Sequence, residues 1–218
     1  MEQKLFFLIN QRWTSPEMDW LMAILTNWNF WIPFVVGICI LLGFFGNFRI
    51  RVALVSAVIC VGIVDGVIVN RVKHCVKRPR PYMMSDGVRE VELARAYPRV
   101  LALAKPLRIR YSSPSIQPVQ GPSFPSAHTA NNFAVATVFF LFFRRWGWLL
   151  LISATLVSYS RIYVGSHWPL DVLAGALIGT GMALLLTVSI EGIWRRWGAR
   201  FFPRLASMYP SILRPLNS

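Results

Sequence analysis

Five long runs with almost no charge decide what this chain can fold into. Phe30–Phe45 is uncharged throughout, and Val52–Val69 is broken only by Asp65. Thr129–Phe143, Trp146–Ser160 and Leu170–Ile190 repeat the pattern. Crossing a bilayer takes roughly 20 mostly apolar residues, each adding about 1.5 Å along a helix. A surface helix of a water-soluble domain carries a broad polar face, and these runs show almost none. The expected fold is all-α: a polytopic membrane helix bundle of five to six transmembrane helices, one domain over residues 1–218. The sixth helix would come from Lys4–Trp28, where Gln11, Arg12, Glu17 and Asp19 surround a Ser15-Pro16 break. Residues 1–28 therefore read as an interfacial amphipathic helix followed by a short or kinked membrane segment.

Composition agrees, since charged residues make up 15% of the chain against about 25% in soluble domains. Met1-Glu2-Gln3-Lys4 leads into a short apolar stretch with no small-residue cleavage site, so the first membrane segments are expected to direct insertion themselves. Three cysteines make no disulfide framework, and Cys39 and Cys60 read as small apolar packing residues.

The net charge of +14 invites nucleic acid as a partner, but its distribution argues against one. Arg49 and Arg51 share one short loop, and Arg144-Arg145 fill a tight connection. Arg195, Arg196, Arg200, Arg204 and Arg214 lie in the tail, residues 191–218. Placing all three sites in the cytoplasm satisfies the positive-inside rule and makes the tail cytoplasmic. Lys73–Pro125, the Arg161–Pro169 turn and the start of the last helix then face outward. Eleven of the 23 Lys and Arg residues lie between Arg71 and Arg110, on that outer side. Binding anionic headgroups or phosphate esters would account for them. The expected location is the plasma (inner) membrane, multi-pass, with the site on the external or periplasmic face.

Three short segments fall on that face. The first is Lys73-x6-Arg80-Pro81, the second Pro125-Ser126-Ala127-His128, and the third Ser160-Arg161-x5-His167-x3-Asp171. Together they offer three cations, two imidazoles and a carboxylate, an inventory suited to phosphoryl transfer, where the enzyme positions a dianion and neutralises its charge. Lys73, Arg80 and Arg161 would hold nonbridging oxygens, the guanidiniums in bidentate fashion. Ser126 is placed to cap the following helix, whose free amides attract an anion, so the Ser126 hydroxyl and the Ala127 amide join the phosphate ligands. Asp171, four positions after His167, would fix its tautomer and free the other nitrogen to attack. His128 would protonate the leaving oxygen and later activate water. Such a route, through a phosphohistidine, needs no metal or cofactor, and a third clustered metal ligand is hard to find among three histidines.

These segments resemble the signature of the type 2 phosphatidic acid phosphatase superfamily: lysine, six residues, Arg-Pro; Pro-Ser-Gly-His; Ser-Arg, five residues, His, three residues, Asp. The resemblance implies nucleophile, acid and orienting carboxylate at His167, His128 and Asp171. That family also includes vanadate-dependent haloperoxidases and soluble acid phosphatases with the same pocket, and the apolar runs point to its membrane branch. Ala127 departs from the pattern, standing where the family has glycine; it keeps the amide and is tolerable unless the position needs a positive φ. Arg78-Pro79 offers a rival register for the first motif, with Arg71 in the lysine position. Resemblance to small membrane members implies a polyprenyl diphosphate such as undecaprenyl diphosphate as substrate. Phosphatidic acid, phosphatidylglycerophosphate and lipid A phosphate are its competitors. A non-catalytic lipid-binding or lipid-transport protein would explain the helices and the basic loop, but not His128, His167 and Asp171 in register.

Three features stand outside the motifs. Asp65, costly inside a membrane, is expected to pair with a site cation such as Arg161 or with a neighbouring helix. Residues 82–124 read as an external cap loop, with Arg89, Glu90, Glu92 and Arg95 in a short helix. Gly175 and Gly179 form a G-x-x-x-G suited to close helix packing or, less directly, dimerisation.

Overall fold

The computed structural model describes residues 1–113 and 121–213. Arg214 and the stretch 114–120 of the expected cap loop lie outside the described residues. The chain runs through α1 (Glu2–Phe7), α2 (Pro16–Thr26), α3 (Trp28–Phe45), α4 (Phe48–Ile63), α5 (Asn70–Val76) and the single turn α6 (Pro81–Met84). A short hairpin follows, β1 (Arg89–Glu92) with β2 (Arg108–Tyr111), and then α7 (Ala127–Phe142), α8 (Arg144–Tyr163), α9 (Pro169–Phe201) and α10 (Pro203–Met208).

Local chemistry sets the helix starts. Ser15, Asn27, Asn47 and Ser126 each accept a hydrogen bond from the backbone amide three residues on, the usual N-cap arrangement. Pro16, Pro81, Pro169 and Pro203 occupy first helical positions, where a missing N–H costs nothing. The Ser15-Pro16 break therefore separates α1, prolonged by a π-helical stretch Leu8–Arg12, from α2.

Among the described residues, three stretches are long and apolar enough to cross a membrane: Trp28–Phe45, Phe48–Met84 and Pro169–Phe201, each holding 18 residues whose mean hydropathy is 2.0, 2.7 and 2.0 in turn. The second stays helical beyond Val69, through a π-helical turn Val64–Val69 into α5. The last helix runs past Ile190 to Phe201, so the first part of the basic tail is helical; nothing interrupts it before Pro203. α7 and α9 pack most intimately, with Ala130, Ala134 and Ala183 fully buried in a core shared with Ala53 and Cys60 of α4. Small residues allow that approach. A Cβ on Gly175 would lie 2.6 Å from the Ser126 carbonyl oxygen, and one on Gly179 only 2.1 Å from that of Ala130. The G-x-x-x-G is thus a helix-packing device within the chain. Cys60 is buried as expected, whereas Cys39 lies exposed on α3.

The basic segments meet at one end. Arg49 donates from Nε to the Ile212 carbonyl at 2.8 Å, and from Nη2 to those of Phe142 at 2.8 Å and Leu213 at 2.7 Å. One guanidinium thereby ties the start of α4, the α7–α8 junction and the C-terminal segment together. Glu191 holds the same segment, accepting from Ser211 Oγ at 2.6 Å and Ile212 N at 3.0 Å.

The opposite end is roofed by the hairpin, which corrects the expected short helix over Arg89–Arg95. Arg89–Glu92 is a strand, antiparallel to Arg108–Tyr111, with Arg89 opposite Tyr111. Side chains alternate across it, so Arg89 and Val91 are buried while Glu92 is exposed. Arg89 grips the buried Asp19 carboxylate through both terminal nitrogens, and Tyr163 Oη donates to Asp19 Oδ1 at 2.7 Å. Asn10 joins Arg89 to Tyr163, donating to their carbonyls at 2.8 and 2.7 Å. The N-terminal helices, the hairpin and the end of α8 thus form one cluster around Phe6, Met22, Val88, Tyr163 and Trp168.

Candidate active site

The three motif segments converge beneath this roof. Arg80 ends the link from α5, His128 sits in the first turn of α7, Arg161 in the last turn of α8, and Asp171 in the first turn of α9. His167 occupies the α8–α9 turn, which is possible because Gly165 adopts a φ of +77°, a region costly for other residues. A Cβ there would also lie 2.8 Å from the Arg89 carbonyl oxygen.

His167 is 2% exposed and Asp171 fully buried. Their closest approach, Nδ1 to Oδ2, is 3.6 Å, too long for a hydrogen bond. Asp171 thus stands beside the ring, and Ser123 fills the gap between them. Its hydroxyl donates to Asp171 Oδ2, while its oxygen lies 3.3 Å from His167 Nδ1. A proton on Nδ1 then points at Ser123 Oγ, which leaves Nε2 with its lone pair free. Asp171 Oδ2 also accepts the Trp168 amide at 2.8 Å, and Oδ1 accepts Arg78 Nη1 at 2.9 Å. Burial pushes the His167 imidazole down to about 4; the nearby Asp171 carboxylate pulls it up, and the Arg161 charge adds to the fall. The ring is therefore neutral near pH 7.

Beside it lies a cavity of about 510 Å³, lined by Arg80, His128, Arg161 and Ser166. Arg95, Arg99, Glu90 and the α2–α3 junction at Thr26–Trp28 complete the lining. His128 is half-buried and feels the charges of Arg161, Lys73 and Arg80. Lys73 in turn feels Arg80, Asp65, Arg161 and Asp171, so all three expected cations gather at this end. Arg80 donates from Nε to the Gly121 carbonyl at 3.1 Å. Arg161 donates from Nη1 to Thr26 Oγ1, and its buried Nε has no partner among the described residues. The expected Asp65–Arg161 pair does not form. Asp65 is exposed in the π-helical turn and acts on Lys73, another of the site cations, instead.

At the start of α7, Ser126 donates its amide to the Asp171 carbonyl at 3.0 Å, and its hydroxyl oxygen accepts from Thr129 Oγ1 at 3.1 Å. Ala127 opens the helix without a positive φ; among described non-glycine residues only Lys77 has one. A methyl group at the family's glycine position therefore carries no backbone strain. The site holds together residues that sequence spacing did not single out: Ser123, Arg78, Thr26 and Glu2. Arg78 alone left a trace, as the rival Arg-Pro of the first motif.

Fold and site together define a membrane-type helix bundle with a buried histidine–serine–carboxylate relay next to a cation-lined cavity. Within that class the chain belongs to the PAP2 superfamily, whose family model matches residues 48–195. A putative undecaprenyl-diphosphatase of Escherichia coli (strain K12) is 40% identical over 88 residues, 40% of this chain and 42% of that protein. A lipid A 4'-phosphatase of Bacteroides thetaiotaomicron is 29% identical over 171 residues, 76% of this chain and 66% of that protein. Among solved structures, LpxE of Aquifex aeolicus superimposes with a TM-score of 0.61 at 26% identity, covering 85% of this chain and 93% of that one. The chain thus spans under half the length of the first relative and about two thirds of the second.

Proposed function

We propose that this chain is a membrane lipid phosphatase that removes a phosphoryl group through a phosphohistidine on His167. The observation that carries this reading is the buried His167, its Nδ1 turned to the Ser123–Asp171 pair, beside His128 and the three cations. In the first step Nε2 attacks phosphorus and the bond to the lipid oxygen breaks. Lys73, Arg80 and Arg161 hold the nonbridging oxygens, with the Ser126 hydroxyl and the Ala127 amide at the helix start. His128, protonated once the bound phosphate dianion offsets the cations around it, gives its proton to the leaving oxygen. In the second step His128 takes a proton from water, which attacks the phosphohistidine and releases phosphate.

Five helical crossings, α3, α4–α5, α7, α8 and α9, fit the apolar runs. α8, with 20 residues, reaches about 30 Å, and the 16 residues of α7 about 24 Å. With the Arg49 end in the cytoplasm, as positive-inside bias favours, the site opens to the external or periplasmic side of the inner membrane. A phosphate at headgroup level could then enter the cavity while its chain stays in the bilayer. Undecaprenyl diphosphate is the substrate proposed first, converted to the monophosphate, and the name of the E. coli relative supports it. Phosphatidic acid, phosphatidylglycerophosphate and lipid A phosphates remain its rivals, the last supported by the name of the Bacteroides relative.

The test is phosphate release by purified chain in detergent with EDTA, comparing native protein with His167→Ala across a panel of these lipids. Release by the native chain alone supports the histidine mechanism, and the best panel member names the substrate. No release from any lipid, with both proteins alike, would sink the enzyme and leave a lipid-binding or transport protein.

A further inference from the structure

Arg78 and Glu2 lie outside the three motif roles, yet Arg78 ends on the Asp171 carboxylate and Glu2 ends on Arg78. Arg78 Nη1 donates to Asp171 Oδ1 at 2.9 Å, and Nη2 donates to Glu2 Oε2 at 2.6 Å. The other Glu2 oxygen accepts the Leu170 amide at 3.0 Å, in the first turn of α9, beside Asp171. The Arg78 guanidinium also lies over the Trp168 ring, 5.5 Å from its centroid, and the indole N–H is held by the Pro79 carbonyl at 3.1 Å. The Arg78 fork is therefore held by two carboxylates and a ring. Arg80, two residues on, lines the cavity instead. The two Arg-Pro registers of the first motif thus do different jobs.

Asp171 needs such an anchor. The terminal torsion of an aspartate is broad, so one hydrogen-bonded oxygen does not fix the plane of the carboxylate. Here Oδ1 is pinned by Arg78, leaving Oδ2 aimed at the Trp168 amide and the Ser123 hydroxyl. Ser123 can face His167 Nδ1 only while Oδ2 stays there. Glu2 completes the set from another element: α1 carries one carboxylate that orders both Arg78 and the amide next to Asp171.

We propose that Arg78 and Glu2 are positioning residues of the reaction, forming a chain Glu2–Arg78–Asp171–Ser123–His167 that couples the N-terminal helix to the nucleophile. This role rests on the phosphatase reading. Neither residue touches substrate, so their loss acts on turnover and not on phosphate binding.

The experiment is steady-state kinetics of the full chain in detergent on the best lipid of the panel, with Glu2→Gln, Arg78→Gln, Arg78→Lys and the Glu2→Gln/Arg78→Gln double variant, each checked by thermal unfolding. The expected result is kcat down about tenfold or more in both glutamine single variants, with KM within about twofold. Arg78→Lys should recover part of the loss, and the double variant should be no slower than Arg78→Gln, because both act through one chain. If Arg78→Gln does not fold, Glu2→Gln, at the more distant end, still reads the same split. Native kcat in a folded Glu2→Gln or Arg78→Gln, a rise in KM at unchanged kcat, or additive losses would each overturn the proposal. An inactive native chain would sink the phosphatase reading and this one with it. An active native chain whose His167→Ala variant is dead but whose Glu2 and Arg78 variants are normal would sink only this one.

Discussion

The Ser123 hydroxyl stands between His167 and Asp171, 3.3 Å from the imidazole Nδ1 and donating to the carboxylate. The bridge adds a hydrogen-bonded path to the direct separation of 3.6 Å between carboxylate and ring. Ser123→Ala removes the bridge and leaves the imidazole free to rotate or change tautomer. Misplacement of a reacting group by about 1 Å can cost about 10²-fold, so kcat should fall by that order while KM holds. Lipid phosphatase kinetics check this, and a Ser123→Ala variant with native kcat would mean that Asp171 orients the ring unaided.

The neutrality of His167 fixes a pH dependence. Burial pushes its folded pKa down to about 4, against about 6.5 in the unfolded chain. The unfolded state therefore binds more protons between these values, and stability rises with pH there. The contribution is fully present above about 6.5 and is lost as pH falls toward 4, on the order of 3 kcal/mol. Thermal midpoints in detergent at pH 4.5 and 7 should differ more for the native chain than for His167→Asn. For the free enzyme, kcat/KM should show no His167 limb near 6.5, and its nucleophile should stay competent well below it.

Much of this site was legible in sequence because its parts sit at helix ends. Helix geometry and a proline at N1 fix the distance from His167 to Asp171, and Ser126 caps α7 as its position before an apolar run foretold. The legible part stops where groups meet across loops. Ser123 lies in a Gly-Pro-Ser-Phe-Pro stretch with no periodicity, and Glu2 reaches Arg78 from 76 positions away. The hairpin was hidden for a related reason. Arg89-Glu90-Val91-Glu92 is charged enough to pass for a solvated helix, and only the tertiary Asp19 partner makes a buried arginine, and so a strand, tolerable. Asp65 misled in the opposite sense: a carboxylate in an apolar run suggested Arg161, but Arg161 is taken by Thr26 of α2.

Arg161 offers a sharper test of the proposed anion site than its charge alone. Its guanidinium commits Nη1 to Thr26 and keeps a buried Nε without a partner among the described residues. A lysine would preserve the charge but not the planar fork that can serve Thr26 and a phosphate oxygen together. Removing one donor from a preorganised oxyanion site costs about 10²- to 10³-fold in rate. Arg161→Lys should therefore lose about 10²-fold in kcat/KM, and Thr26→Val less, since it only frees the fork. Comparable activity in Arg161→Lys and native chain would show that the residue acts as a point charge.

The distance between the two helices that carry His128 and Asp171 is open to the same kind of test. α7 and α9 touch along Gly175 and Gly179, where a Cβ would meet the Ser126 and Ala130 carbonyl oxygens at 2.6 and 2.1 Å. These are backbone atoms in a helix and cannot swing aside. Gly179→Ala must push the helices apart, at a cost of about 1–3 kcal/mol. The same movement stretches the 3.0 Å bond from the Ser126 amide to the Asp171 carbonyl and carries His128 away from His167. Gly179→Ala should thus lower both the thermal midpoint in detergent and kcat. Gly181, two residues on, has nothing within 4 Å of the place an added methyl group would take. Gly181→Ala should leave both quantities unchanged or raise stability slightly through helix propensity. Equal effects at the two positions would mean that the glycines matter to the lipid-facing surface and not to the α7–α9 seam.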